Sequence, residues 1–234
     1  MKKLSSLSIF FPCYNDENTI AGLVDDAYTI GKKITRSLEV IVIDDGSTDL
    51  SKKILKKSQK KHPNLKLVFH KKNRGYGGAL RSGFSATTKK FIFYTDGDGQ
   101  YSLKDLPKLV KSVKPKLDVI NGKKIYREDR FIRKIVGELY YLWIKLLFQT
   151  PIREIDTDYR LIRKEKLKKI TLSKNSGAIC VELISKLKKA GANFTEVSVN
   201  HYDRKFGKSQ FFTFSRIIQT LVDDIKLFFE FHSL

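Results

Sequence analysis

Asp96 and Asp98, one residue apart in Thr95-Asp96-Gly97-Asp98-Gly99-Gln100, are the residues of this sequence best suited to hold a hard divalent cation. Carboxylate oxygens suit Mg²⁺ or Mn²⁺, and such a cation would bridge two phosphates and neutralise the charge that a departing diphosphate acquires. Asp and Gly are also the ordinary residues of turns, so the hexapeptide reads as an acidic turn as well. Three other clusters could serve the same chemistry. In Pro12-Cys13-Tyr14-Asn15-Asp16-Glu17, Tyr14 can stack on a base and Glu17 can bond a ribose or base edge; the plainer reading is a turn with a capping Asn. In Asp44-Asp45-Gly46-Ser47-Thr48-Asp49, Asp45 can accept from a ribose or base while Ser47 or Thr48 caps the next helix. Asn73-Arg74-Gly75-Tyr76-Gly77-Gly78-Ala79-Leu80-Arg81 is a glycine-rich turn into a helix, offering backbone N–H groups and two cations to a phosphate, though it matches neither the dinucleotide fingerprint nor the P-loop.

Such clusters need rigid carriers. Apolar runs bounded by turn residues occur at Leu7–Phe11, Val40–Ile43, Leu65–Phe69 and Phe91–Tyr94, with helical spacing between them, which reads as β-α-β-α-β-α-β. The first helix has Asn18 as its expected N-cap and Ile20, Leu23, Val24, Ala27 and Ile30 on one face. Strands this apolar on both sides imply helices on both faces of a doubly wound, mostly parallel sheet. Ligands of such sheets bind beyond the carboxyl ends of the strands, where three of the four runs end in the polar clusters above. After Tyr101 the alternation weakens. Helical patterns follow near Leu106–Val113, Phe131–Phe148, Glu165–Ile170 and Ile179–Ala190, with short strands near Val119–Ile120 and Phe194–Val199. Ile217 to Phe231 reads as an amphipathic helix, so the expected organisation is one α/β domain over residues 1–212 and a C-terminal helix over 213–234.

Composition bounds the partners. The chain has 234 residues, 41% of them hydrophobic and 12% aromatic, enough for a packed core. Its 46 Lys+Arg against 25 Asp+Glu give a net charge of +21, which attracts nucleic acid, anionic lipid or phosphorylated substrates. With no recognisable nucleic-acid module and Lys residues spread through the chain, composition leaves nucleic acid and a membrane surface evenly balanced as partners; it is the motifs that turn the expectation to membrane and nucleotide, with no nucleic acid. Cys13 and Cys180 lack metal-ligand spacing and no signal peptide precedes the first strand, which predicts inert thiols in the reducing cytoplasm. The longest apolar stretch, Leu139 to Phe148, is broken by Lys145 and falls short of the roughly 20 residues that cross a bilayer.

Taken in order and spacing, Pro-x-Tyr-Asn-x-Glu, Asp-Asp-Gly-Ser-x-Asp, Asn-Arg-Gly-Tyr-Gly-Gly-Ala-Leu and Thr-Asp-Gly-Asp-Gly-Gln resemble family 2 glycosyltransferases of the GT-A fold. The similarity is to the branch of dolichyl-phosphate mannose synthases and their bacterial and archaeal relatives. It continues through Ile152-Arg153-Glu154-Ile155-Asp156-Thr157-Asp158-Tyr159-Arg160-Leu161 and Glu182 to Arg204-x-x-Gly207-x-Ser209, nearly the whole chain. The resemblance implies an inverting transfer of a hexose (mannose, glucose or N-acetylhexosamine) from a GDP- or UDP-linked donor to a polyprenyl phosphate. Pro12, Tyr14, Glu17 and Asp45 would hold the nucleoside, Asp96, Asp98 and Gln100 the metal, and Arg204 and Lys208 the donor diphosphate, with Arg81 at the same site. Lys123, Arg127 and Arg133 would receive the acceptor phosphate, although in so basic a chain each also reads as a solvated cation.

The sequence departs from that branch at Glu154, where Asp is usual, at Asp158, where a small residue stands, at Gly137 for Ser and at Gln210 for Lys. These changes lie in the acceptor-facing half and leave a hydroxyl acceptor as the alternative. A lipid phosphate oxygen is already a nucleophile, whereas a sugar hydroxyl would need a base such as Asp156 or Glu154. A non-catalytic nucleotide-sugar or nucleic-acid binder is the remaining reading; its function would survive Asp96→Ala and Asp98→Ala. The chain is expected on the cytoplasmic face of the membrane; many relatives carry transmembrane helices beyond this point and this chain ends without them, so the expected attachment is peripheral or through a membrane-protein partner, a homodimer being the other expected assembly. The basic surface and the helices at 131–148 and 217–231 would supply the contact, the alternative for both helices being ordinary core or dimer packing.

Overall fold

The computed structural model describes residues 3–125, 131–206 and 214–233. Among them, strands β1 (Leu7–Cys13), β2 (Leu38–Asp44), β3 (Leu65–Phe69), β4 (Phe91–Thr95), β5 (Val119–Lys124), β6 (Tyr159–Arg163) and β7 (Phe194–Val199) form one sheet in the order β3-β2-β1-β4-β6-β5-β7. The helices are α1 (Ile20–Ile34), α2 (Ser51–Lys61), α3 (Gly75–Ala86), α4 (Leu106–Lys111), α5 (Phe131–Phe148), α6 (Lys164–Leu167), α7 (Ile179–Lys189) and α8 (Phe214–His232). Strands β1 to β4 pair in parallel, as their two-sided apolarity predicts. Every residue of β1 and β4 is buried. On one face Leu7, Ile9 and Phe11 pack with Ile20, Leu23 and Val24 of α1 and with Leu106 and Leu109 of α4. On the other, Phe10, Ile41 and Ile43 pack with Ala79 and Leu80 of α3 and Ile179 and Leu183 of α7. Each such side chain contributes about 1.5–3 kcal/mol on burial.

From β1 the chain winds outward to β2 and β3, then returns across β1 to β4. That reversal opens a crevice between the carboxyl ends of β1 and β4, the usual ligand position in such sheets.

Four local readings are corrected. Asn18 is exposed and does not cap α1; Thr19 is the N-cap residue, without a side-chain cap bond, because its hydroxyl reaches across to Gly97 O at 2.6 Å. Ser47 and Thr48 do not cap α2. Its first N–H groups go to carboxylates instead, Ser51 N to Asp49 Oδ1 at 2.9 Å and Leu50 N to Glu17 Oε2 at 2.8 Å. Strand β6, absent from the sequence reading, runs antiparallel between β4 and β5. The helical pattern over Glu165–Ile170 shrinks to the short α6.

A third cluster joins Ile144 and Phe148 of α5 and Leu227 of α8 to Val181 and Ile184 of α7. At this junction Asp224 is fully buried and accepts from Tyr140 Oη at 3.0 Å, while its Oδ1 has no partner. Burial, aided by the charge of Asp223, pushes its carboxyl up to about 7 despite the Tyr140 bond and Lys174. The unfolded chain ionises near pH 4 and the folded chain near 7, so this residue's stability contribution is lost as pH rises through that window. Thermal melts should show Asp224→Asn raising Tm at pH 8 by a few degrees while changing it little at pH 4, where the native carboxyl is protonated.

Candidate active site

The three polar clusters after β1, β2 and β4 interlock at the crevice. Asn15 sits at φ 57, a backbone state that Asn tolerates, and turns its Oδ1 to Thr48 N at 2.8 Å. In return Asn15 N donates to Ser47 Oγ at 3.0 Å, Asp16 N to Ser51 Oγ at 3.1 Å and Glu17 N to Asp49 Oδ2 at 3.1 Å. Thr19 ties this pair to the β4 loop through Gly97 O. A Cβ at Gly97 would lie 2.8 Å from both Pro12 O and Asp16 Oδ2, so only glycine lets the β4 loop press so close to β1. The nucleoside candidates are thus already networked. Pro12 lies buried in β1, Tyr14 is half-buried, and Glu17 is engaged by the Leu50 N–H.

Asp45 is buried at the end of β2, and its Oδ1 accepts from Arg74 N at 2.9 Å and faces His70 Nδ1 at 2.5 Å. Gly46 holds φ +76 and a Cβ there would meet Asn73 N at 2.8 Å, so the β2 and β3 loops touch backbone to backbone.

Beside this frame lies a concentration of negative charge. Burial, then Asp158 and Asp98, push the Asp96 carboxyl well above the usual carboxylate range. Burial, with Asp98 and Asp49 adding to it, raises Asp16 to about 7. Asp96 Oδ1 is buried without a hydrogen-bond partner. Tyr76, in the first turn of α3, is half-buried with its hydroxyl enclosed, and burial followed by the charges of Asp158 and Asp96 pushes its phenol well above the ordinary tyrosine range. Asp98 accepts Gln100 N at 2.9 Å on Oδ1 and Arg204 at 2.5 Å on Oδ2. Arg204 reaches it because the 200–204 segment is laced to the β4 loop, with Tyr202 N on Gln100 O at 2.9 Å and Gln100 Nε2 on Tyr202 O at 3.1 Å.

The cluster rests on a buried cation. Arg160 of β6 is 0% exposed and donates to Asn121 Oδ1 at 2.6 Å, to Tyr94 Oη at 2.5 Å and to Ile155 O, and stands 3.9 Å from Asp158. Strand register dictates this, because Tyr94 of β4 and Asn121 of β5 are its cross-strand partners. Asp158, an unusual residue for the resembled branch, is therefore a second buried carboxylate beside Asp96, compensated from behind.

Not every candidate joins the crevice. The Arg81 guanidinium is engaged elsewhere: it ties down the 173–175 loop through Ser173 O at 2.6 Å, Lys174 O at 2.5 Å and Asn175 Oδ1 at 2.5 Å. Lys123 is exposed on β5, and its neighbour Lys124, on the opposite face of the strand, is the residue near Asp156, at 3.8 Å. Arg127 and Lys208 lie outside the described residues, as does the side chain of Arg133 in α5. Gly137 and Glu154, two departures from the resembled pattern, line one small cavity together with Tyr140 and Asp156. Sequence reasoning missed His70, Asp16, Lys124 and Arg160 as site residues; nothing in their periodicity distinguishes them.

Residues 8–171 match the family described as glycosyl transferase family 2. The chain belongs to this family. Curated proteins it resembles include the dolichyl-phosphate beta-glucosyltransferase of Dictyostelium discoideum, 27% identical over 96% of this chain and 74% of its own length. Another is the undecaprenyl-phosphate 4-deoxy-4-formamido-L-arabinose transferase of Salmonella choleraesuis (strain SC-B67), 25% identical over 94% of this chain and 66% of its own length. Among solved structures, glucosyl-3-phosphoglycerate synthase of Mycobacterium tuberculosis, crystallised with Mn²⁺, UDP and glucosyl-3-phosphoglycerate, superposes with a TM-score of 0.73 at 16% identity, over 97% of this chain and 79% of that one. Mannosyl-3-phosphoglycerate synthase of Rubrobacter xylanophilus gives 0.69 at 13%, over 98% and 75%. At such identities these two establish the fold shared with glycosyltransferases, and the family membership makes the chain a glycosyltransferase.

Proposed function

We propose that this transferase moves a hexose from a GDP- or UDP-linked donor to a polyprenyl phosphate, with inversion, at the cytoplasmic face of a membrane. The observation that carries the reading is the Asp96/Asp98 pair at the switch-point crevice, framed by the β1 and β2 loops and faced by Arg204. The two curated relatives support the acceptor class, each being named for transfer to a polyprenyl phosphate.

The donor set fits a divalent cation. Asp96 has an unpartnered buried oxygen, and Asp16, Asp98 and Asp158 crowd it with like charge that a cation would relieve. Among the described residues no three His, Cys, Asp or Glu side chains converge on one metal position. Asp96 and Asp98 would therefore share the ion with the donor diphosphate, as Mg²⁺ and Mn²⁺ sites at phosphates commonly do, with Gln100 beside them. The ion would stabilise the departing nucleotide diphosphate.

The chain's own residues do the rest. Asp45 accepts from the nucleoside, Tyr14 stacks on its base and Glu17 with Pro12 walls the pocket. Arg204, within reach of Asp98, turns to the diphosphate with Lys208 when the donor enters. Lys123, Arg127 and Arg133 gather the acceptor phosphate, whose oxygen attacks the anomeric carbon without a general base. Asp156, facing Lys124, is then an orienting charge.

Membrane contact is the third part of the proposal. Among the described residues no helix is long and apolar enough to cross a bilayer. Yet α5 turns Leu139, Leu142 and Leu146 outward and α8 turns Ile218, Ile225 and Phe229 outward, with Leu146 77% and Phe229 61% exposed. Each set lies on one helical face, and a chain of charge +21 is drawn to anionic lipid at about 1 kcal/mol per well-placed cation. Leu146→Glu and Phe229→Glu should each cut co-sedimentation with anionic vesicles several-fold and leave Tm unchanged. Retained vesicle binding together with loss of a dimer would assign these faces to self-association instead.

The test of function is incubation with undecaprenyl or dolichyl phosphate, Mg²⁺ or Mn²⁺, and a panel of UDP- and GDP-sugars, with product read by mass spectrometry. A lipid-linked sugar from one donor, abolished by EDTA, is the expected result. Donor binding without lipid product under every pairing would overturn the acceptor assignment and favour a hydroxyl acceptor.

A further inference from the structure

His70 follows β3 directly and has no part in the function argued so far. Its backbone N–H donates to Asp44 O at 2.8 Å, fixing the residue against the end of β2. Its ring lies buried between two side chains, with Nδ1 2.5 Å from Asp45 Oδ1 and Nε2 2.9 Å from Ser82 Oγ of α3. The ionised carboxylate can only accept, so Nδ1 carries a proton, while Nε2 shares a hydrogen bond with the Ser82 hydroxyl. Oδ1 of Asp45 is then held from two directions, by the ring and by Arg74 N at 2.9 Å. Among the described residues no hydrogen bond engages Oδ2.

We propose that His70 is a positioning residue for donor recognition. Bridging α3 to Asp45 through Ser82, it clamps one carboxylate oxygen so that the other is aimed at an N–H or O–H of the nucleoside. A carboxylate free to rotate would lose part of the directed bond on each binding event, whereas one held at Oδ1 presents Oδ2 in a fixed direction. The inference rests on the reading of Asp45 as a nucleoside ligand and adds to it the residue that sets the geometry.

Three variants separate this role from simple packing. His70→Phe keeps a ring and removes both nitrogens; His70→Asn restores a donor near the Nδ1 position; Ser82→Ala removes only the far anchor. Calorimetric titration with UDP and with GDP, each with Mg²⁺, should give about tenfold weaker binding of the favoured nucleotide for His70→Phe and two- to threefold for Ser82→Ala. His70→Asn should recover most of the affinity. In the transfer assay the donor KM should rise in His70→Phe with kcat little changed, a split that general loosening of the fold would not produce. Wild-type affinity in a folded His70→Phe protein, or equal losses in His70→Phe and His70→Asn, would overturn the proposal while leaving the donor reading intact. If His70→Phe fails to fold, unchanged affinity in Ser82→Ala overturns it. If the wild-type protein binds neither nucleotide, the reading of Asp45 itself falls, and this inference with it.

Discussion

Asp96→Asn should lower transfer by about 10²–10³-fold, the usual cost of removing a group that stabilises developing charge, and should at the same time make the metal-free protein more stable. The second half follows from the raised carboxyl. Burial and the charges of Asp158, Asp98 and Asp16 disfavour its ionised form, so in the native state this group costs stability once pH exceeds its unfolded value. An amide of the same shape carries no charge and relieves the conflict. Melts without metal should therefore give a higher Tm for Asp96→Asn than for wild type at pH 8. Melts with Mn²⁺ and UDP or GDP should raise the wild-type Tm and leave the variant unmoved, because a ligand stabilises only the state that binds it. A variant that melts lower and still transfers sugar would make Asp96 a mere turn residue, the plain alternative that its Asp-Gly-Asp context allows.

Arg160→Met should be the most damaging change to the fold. The guanidinium is fully buried and satisfies Asn121 Oδ1, Tyr94 Oη and Ile155 O while facing Asp158. Removing it strands three polar groups and leaves a buried carboxylate uncompensated, a loss of about 3–5 kcal/mol. Urea denaturation should show the midpoint falling by a large part of the stability of the chain, or no soluble protein at all. Adding Asp158→Asn should recover a share of the loss, since the two residues interact and their effects should not add. Full additivity in that double-mutant cycle would mean that Arg160 acts through Asn121 and Tyr94 alone.

These two residues also mark where the sequence stopped being legible. Asp96 and Asp98 are readable because the chemistry needs acidic residues just past an apolar strand, and Phe91–Tyr94 gives that strand away. Strand β6 gives nothing of the kind. Its Tyr159-Arg160-Leu161 alternates, but an arginine at a core position, following Asp156 and Asp158, has the pattern of a polar loop. Only the sheet register, which sets Tyr94 and Asn121 opposite Arg160, supplies the partners that make burying it tolerable. The caps went astray for a related reason: Asn15 and Glu17 bond the neighbouring loop across 33 residues, replacing the local caps that Asn18, Ser47 and Thr48 suggest.

The sequence by itself determined the layered α/β fold, the parallel half of the sheet, the family, and the loops that carry the carboxylates. These depend on periodicity and residue type within short windows, where hydrophobic burial leaves a regular trace. Tertiary structure alone decided that Asp158 joins Asp96, that Arg160 offsets the charge, that Arg81 ties down a distant loop, and that His70 grips Asp45. Each depends on residues brought together by strand register and helix packing across dozens of positions, and contacts of that kind leave no period in the chain.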